Sequence, residues 1–253
     1  MTIGATVIGT GLNAEGSYIE KAINYLKEFT ELPLYSPKDL VDAMQNTDCY
    51  TELSSALKIC MINMSKISND LRLMASGPRA GLNEINLSPC QRGSSLIPGK
   101  VNPVMPELIN QVAFQVMGND QTISLASEAG QFELNVMGPV ITFNLLQSLK
   151  IINGALESFN DLCLKKISAN RVRMKEYVES NVGIVSAIIP YIGYEKAAKL
   201  AKKAVESGEN VRELCLKHTT FTKEELDIIF NEYEMTTIGI AGLDKIEKKD
   251  IEK

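Results

Sequence analysis

Leu53, Leu57, Cys60, Met64, Ile67, Leu71 and Met74 follow one another at alternating steps of four and three residues. An unbroken heptad stripe of this kind predicts a long helix, from about Thr47 to Ala75, packed at a shallow angle against a neighbour. At 1.5 Å per residue such a helix is roughly 40 Å long, which suits an elongated bundle. Ser76-Gly77-Pro78 stops it. Leu145, Leu149, Ile152, Leu156, Phe159 and Cys163 repeat the rhythm. Between these two seams, Leu108, Ile109, Val112, Ala113, Val116 and Met117 form another stripe, predicted to start after Pro103 or Pro106 and to end near Gly118. The stretch from Ile123 to Met137 is helix-compatible but interrupted by Gly130, and Gly138-Pro139 reads as an end or a kink.

Shorter elements flank these seams. Ile19, Ala22, Ile23, Leu26 and Phe29 share one side of a helix predicted from Ser17 to Phe29, opened by a Ser17 and Glu20 capping box. Ser36-Pro37 offers a cap for a short helix reaching about Met44. Beyond Asn170 the helices become short: Tyr194 to Ser207 closed by Gly208, and Lys223 to Phe230 opened by Thr222 and Glu225. The pattern predicts an all-α chain, with part of a long-helix bundle over residues 1–169 and a small helical C-terminal domain over 170–253. The charged stretch from Leu243 is expected to fray.

Composition narrows the function. With 253 residues and 45% apolar content the chain can bury a substantial core. A net charge of −5 and the absence of a basic stripe argue against nucleic acid as a partner. Five cysteines lie far apart with no C-x-x-C pair, which fits reduced thiols, and Cys60 and Cys163 are expected in the core. The apolar run from Val182 to Pro190 is too short to span a bilayer and the start is unlike a signal peptide, so the expectation is a soluble cytoplasmic protein. Gly9-Thr10-Gly11-Leu12-Asn13-Ala14 formally fits a dinucleotide pattern but lacks its strand-and-helix frame, and reads as an irregular connector. The single histidine, His218, reads as a surface residue.

The candidate chemistry lies in Gly93-Ser94-Ser95-Leu96-Ile97-Pro98-Gly99-Lys100-Val101-Asn102-Pro103, at the end of a connector from Arg79. Asn102 before Pro103 reads as an N-cap and first helical residue. A loop cation beside helix-end N–H groups suits an anion such as a carboxylate or phosphate, and Ser94 in that field ionises more easily than in water. A plain surface turn explains the same residues. Glu107 falls in the first helical turn, where the dipole favours a carboxylate.

The same eleven residues resemble the GSSxMPxKxNP motif of the aspartase/fumarase superfamily. The likeness extends to Gly4 through Asn13, to Asn69-Asp70-Leu71-Arg72 and Ser76 through Leu82, and to Glu133 through Met137. Val104-Met105-Pro106-Glu107 and the segment from Ile109 to Asp120 resemble the ammonia-lyase branch more than the fumarases. The resemblance implies reversible deamination of L-aspartate to fumarate, in a helical homotetramer whose active sites combine residues of three subunits, with no metal or organic cofactor in the scheme. It implies Ser94 as catalytic base, Ser95 as a loop residue closing on substrate, Lys100 and Asn102 as ligands of a substrate carboxylate, and Glu107 as partner of an active-site histidine. Fumarate hydration and a non-catalytic helical assembly are the alternatives. Ile97 replaces the usual Met, and Gly138 stands where aspartases usually have Glu. The family's region ahead of the Gly-Thr-Gly segment, which supplies the active-site histidine, is expected to be missing from this chain, leaving it inactive or nearly so by itself.

Overall fold

The computed structural model describes residues 1–246 and divides into two compact units, Met1–Ser168 and Ala169–Lys253. The fold is helical throughout; among the described residues the only strands are the two-residue segments Ile85–Asn86 and Ser168–Ala169.

The first unit is built on three long helices, α3 (Asp48–Met74), α4 (Val104–Glu128) and α5 (Gly138–Leu162), after two shorter ones, α1 (Gly16–Thr30) and α2 (Leu40–Gln45). α3 lies along α4, and α4 along α5. Their apolar core joins Met61, Ile109, Ala113, Val116, Ile152, Ala155 and Phe159, with a second cluster of Ile123, Ala126, Ile141 and Leu145. Burying these side chains is the main force holding the bundle together.

The inward face of α3 is turned by about one residue from the predicted seam. Ser54, Met61, Ser65 and Ser68 are buried, whereas Leu53, Cys60 and Ile67 are exposed. Apolar residues occur around much of this helix, so periodicity alone does not choose the face; the small serines bring α3 and α4 together. A polar ladder results. Asn110 Nδ2 donates to Ser65 Oγ at 2.8 Å, Ser54 Oγ donates to Asp120 Oδ1 at 2.8 Å, and Asn119 Nδ2 donates to Ser148 Oγ at 2.9 Å. Each pairs groups that would otherwise be buried unsatisfied.

Several boundaries differ from the sequence expectations. α4 runs through Gly118 to Glu128 without a break, because one glycine inside a well-packed helix costs only about 1 kcal/mol. Gly138-Pro139 opens α5 instead of ending a helix: proline needs no N–H in a first turn. Asn135 ties the turn before it, donating from Nδ2 to Ala126 O and Ser127 O and accepting from Met137 N. α1 starts at Gly16 with Glu15 in the cap position and no side-chain cap, so the Ser17 box does not form; only Ile23 of its stripe is fully buried, and Phe29 is exposed. α2 is capped by Asp39, whose carboxylate accepts from Val41 N and Asp42 N, three residues beyond the expected Ser36. Residues 1–13 form a chain of turns with no strand among them. Gly9 there has φ +89°, and an added Cβ would sit 2.5 Å from Leu40 O and the Val41 backbone.

In the second unit, short helices surround one apolar cluster. They are α6 (Arg171–Ser180), α7 (Ile189–Ile192), α8 (Tyr194–Ser207), α9 (Val211–His218), α10 (Lys223–Ile229) and α11 (Glu232–Thr236). Val185, Ile188, Leu200, Leu214, Leu226 and Ile229 form its centre. α8 ends at Gly208 with φ +72°, and α10 carries both halves of the Thr222 and Glu225 capping box. Tyr191 packs edge-on to Phe221 and donates to Ala241 O at 2.7 Å. Ile246 packs on the cluster and Lys245 pairs with Glu234. The rest of the stretch expected to fray, 247–253, lies outside the described residues.

Candidate active site

The segment from Arg79 to Asn102 leaves α3 and returns to α4. Its last part closes on itself: Gly93 N donates to Lys100 O at 3.1 Å, and Asn102 Nδ2 donates to Gly93 O at 3.0 Å. Gly93 is obligatory at this crossing, since a Cβ would lie 2.1 Å from Lys100 O. The loop borders an open pocket of 540 Å³ lined by Ser94, Lys100, Arg92, Cys90 and neighbouring residues, with no acidic residue among the lining groups.

Ser94 is half-buried, and its Oγ accepts from Leu96 N and Ile97 N, each at 3.1 Å. Two N–H donors aimed at one oxygen favour its charged form over its neutral form. Ser95 and Lys100 are exposed, and the Lys100 ammonium has no ion pair among the described residues. Arg92 adds a second cation to the lining. Nothing in the sequence motif points to it, and only its position just before Gly93 could have raised the question.

Asn102 does not cap α4. Its side chain closes the loop, and Pro103 takes the cap position. The helix end is also poorer in free donors than expected: Val104 N donates to Asn102 O, and neither Pro103 nor Pro106 has an N–H. The cavity's positive character therefore rests on Lys100 and Arg92 more than on the helix dipole.

Glu107 stands in the first turn of α4, where Arg72 of α3 approaches to 3.9 Å and also donates to Asn110 Oδ1 at 3.1 Å. Arg72 thus links the carboxylate to the buried ladder. Its place in the last turn of α3, facing an acidic first turn, is the sequence signal for it. His218 ends α9 in the second unit, with Nε2 2.6 Å from Lys203 Nζ at the surface. Among the described residues no group of three or more His, Cys, Asp and Glu side chains is placed to hold a metal ion, and no helix is long and apolar enough to cross a membrane.

Comparison with known proteins bears on the same residues. A family model described as Lyase matches residues 1–118, and one described as Fumarase C C-terminus matches 184–237. An aspartate ammonia-lyase of Bacillus subtilis is 61% identical over 248 residues, covering 98% of this chain and 52% of the relative. One from Helicobacter pylori is 45% identical, over 93% of this chain and 50% of the relative. Among solved structures, a fumarate lyase:delta crystallin from Brucella melitensis, bound to cobalt, superposes with a TM-score of 0.88 at 39% identity, over 94% of this chain and 51% of that one. A class II fumarase from Schistosoma mansoni gives 0.84 at 32% identity, over 93% and 52%. The chain spans about half the length of the curated relatives it matches. With two lyase family models matched, one in each unit, and identity of this extent along the chain, the chain belongs to the aspartase/fumarase superfamily of lyases.

Proposed function

We propose that this chain carries the serine-loop share of an aspartate ammonia-lyase site, for reversible deamination of L-aspartate to fumarate and ammonia. The observation that carries the reading is the cavity holding Ser94 and Lys100 with no carboxylate in its wall. An anionic substrate enters such a space without like-charge repulsion. The identity to relatives named aspartate ammonia-lyase favours aspartate over malate.

In this reading Ser94, as its alkoxide, removes a proton from Cβ of aspartate. The Leu96 and Ile97 N–H groups, and the Lys100 and Arg92 cations lining the same pocket, favour the alkoxide more than water would. Proton loss leaves an aci-carboxylate, a dianion whose second charge must be met by fixed donors. Lys100 supplies the cation, and Asn102 holds the same carboxylate through the N–H not engaged by Gly93 O. Ser95 closes over the substrate with the loop, excluding water. Collapse of the aci-carboxylate expels ammonia. Glu107, steadied by Arg72, orients a histidine from the part of the site that relatives carry beyond this span.

The exposed apolar residues of α3, among them Tyr50, Leu53 and Ile67, fit a homotetramer in which partner helices cover this face. They equally motivate the second reading, a helical assembly without catalysis. One set of assays separates them. The chain by itself is expected to give almost no fumarate absorbance on adding aspartate, since parts of a catalytic constellation act as a unit. Joined to the N-terminal half of the Bacillus subtilis relative, it is expected to turn over aspartate and not malate. Ser94→Ala in that context should then lower kcat by about a thousandfold or more. Unchanged turnover in the Ser94→Ala protein would overturn the catalytic assignment, and malate turnover would replace it with fumarate hydration.

A further inference from the structure

Cys90 and Cys163 are 73 residues apart in sequence and meet beside the serine loop. Cys90 is exposed, lines the loop cavity, and its Sγ lies 3.7 Å from the carbonyl oxygen of Leu162. That carbonyl belongs to the peptide bond of Cys163, and carbonyl oxygen to next Cα is about 2.8 Å in a trans peptide. Cys90 Sγ is therefore no farther than about 6.5 Å from the Cys163 Cα, so a small movement of an exposed loop stem reaches bonding distance. The second thiol is of a different kind. Cys163 is 2% exposed and sits at the end of α5 in the bundle core. Burial pushes its thiol above the usual range, and charge on Cys90 adds to the effect.

We propose that Cys90 and Cys163 form a thiol–disulfide site, oxidised by small-molecule disulfides, that tethers the stem of the Ser94 loop to the end of α5. The Cys90 thiolate attacks one sulfur of the small disulfide and expels a thiolate, giving a mixed disulfide on Cys90. The Cys163 thiolate then attacks the Cys90 sulfur and expels the second small thiol. Two protein thiols become one disulfide, and the reagent is reduced to two thiols, which take up the two protons released. The exposed partner meets the reagent and the buried one resolves it. The other three thiols lack such a partner: Cys49 and Cys60 are exposed on α3, and Cys215 is buried in the second unit. The oxidised form holds residue 90, four positions before Ser94, against the rigid end of a 25-residue helix. This inference does not depend on Ser94 being a base.

Glutathione disulfide is the probe. After incubation and alkylation, peptide mass mapping is expected to show a Cys90–Cys163 cross-link with two hydrogens lost, reversed by dithiothreitol. Trypsin cleavage after Arg92 and Lys100 is expected to slow severalfold in the oxidised chain. Cys90→Ser, a surface change, should abolish both effects, and Cys163→Ala should stop at the glutathione adduct on Cys90. A wild-type chain that retains glutathione on Cys90, or links Cys90 to another cysteine or another chain, overturns the pairing. A cross-link with unchanged cleavage overturns the tether.

Discussion

Two buried polar residues on neighbouring helices show how differently polarity is handled inside the bundle. Asp120 of α4 accepts from Ser54 Oγ at 2.8 Å and Ser55 Oγ at 3.3 Å, and pairs with Lys58, so its buried carboxylate is fully engaged. Ser68 of α3 is wholly buried and its hydroxyl is the only such side-chain atom without a partner among the described residues. Opposite outcomes are expected. Asp120→Ala strips three donors of their acceptor and should cost about 2–3 kcal/mol in urea unfolding. Ser68→Ala removes an unsatisfied group and should leave stability unchanged or raised by up to about 1 kcal/mol. The thiols divide in the same way. Burial pushes Cys215 up to about 11, so at pH 8 an alkylating reagent such as iodoacetamide should label the reduced native chain at Cys49, Cys60 and Cys90, while the buried Cys215 and Cys163 are alkylated only on unfolding.

At the level of elements, what could be read from the sequence and what could not have identifiable causes. α3, α8 and α10 were legible almost to the residue because a strong period met a clear cap: Ser76-Gly77-Pro78, Gly208, and the Thr222 and Glu225 box. The face of α3 was not legible. Its exposed stripe is as apolar as its buried one, and the serines that turn inward carry no hydropathic signal. Cys60, expected in the core, lies on that exposed stripe. The motif drew attention to Ser94, Ser95, Lys100, Asn102 and Glu107. The helix-end donors are not legible because Pro103 and Pro106 alter the first turn of α4, and neither is the role of Arg72, whose partners are 35 and 38 residues away. Gly9 illustrates a constraint visible only in three dimensions. Gly9→Ala should cost about 2–4 kcal/mol in thermal or urea unfolding, because a left-handed φ and a collision with the α2 backbone act together.

Across the whole molecule, each of the two units carries its own core, and each invites its own test. In the second unit, Lys245 and the Gly242 N–H hold the Glu234 carboxyl below the usual carboxylate range. A depressed folded pKa contributes stability above the unfolded value and loses it as pH falls through the folded one. Melting temperature should therefore drop on acidification below about pH 4 more steeply in the wild type than in Glu234→Gln, and the two curves should converge at the acid end. In the first unit, Leu53→Lys with Ile67→Lys changes only exposed positions of α3. Sedimentation should show the association proposed for this face abolished while the helical circular dichroism signal persists; an unchanged sedimentation coefficient would refute the tetramer reading.

The ladder of Asn110, Asn119 and Asp120 sits on the same helix that begins two residues after Asn102. Sliding α4 by one turn would break all three sets of contacts at once, an error a purely hydrocarbon interior would tolerate. The groove-and-tooth fit deep in the bundle thus indexes where the loop emerges, so that substitutions 10–20 residues from Lys100 with no route to the cavity should still blur its placement.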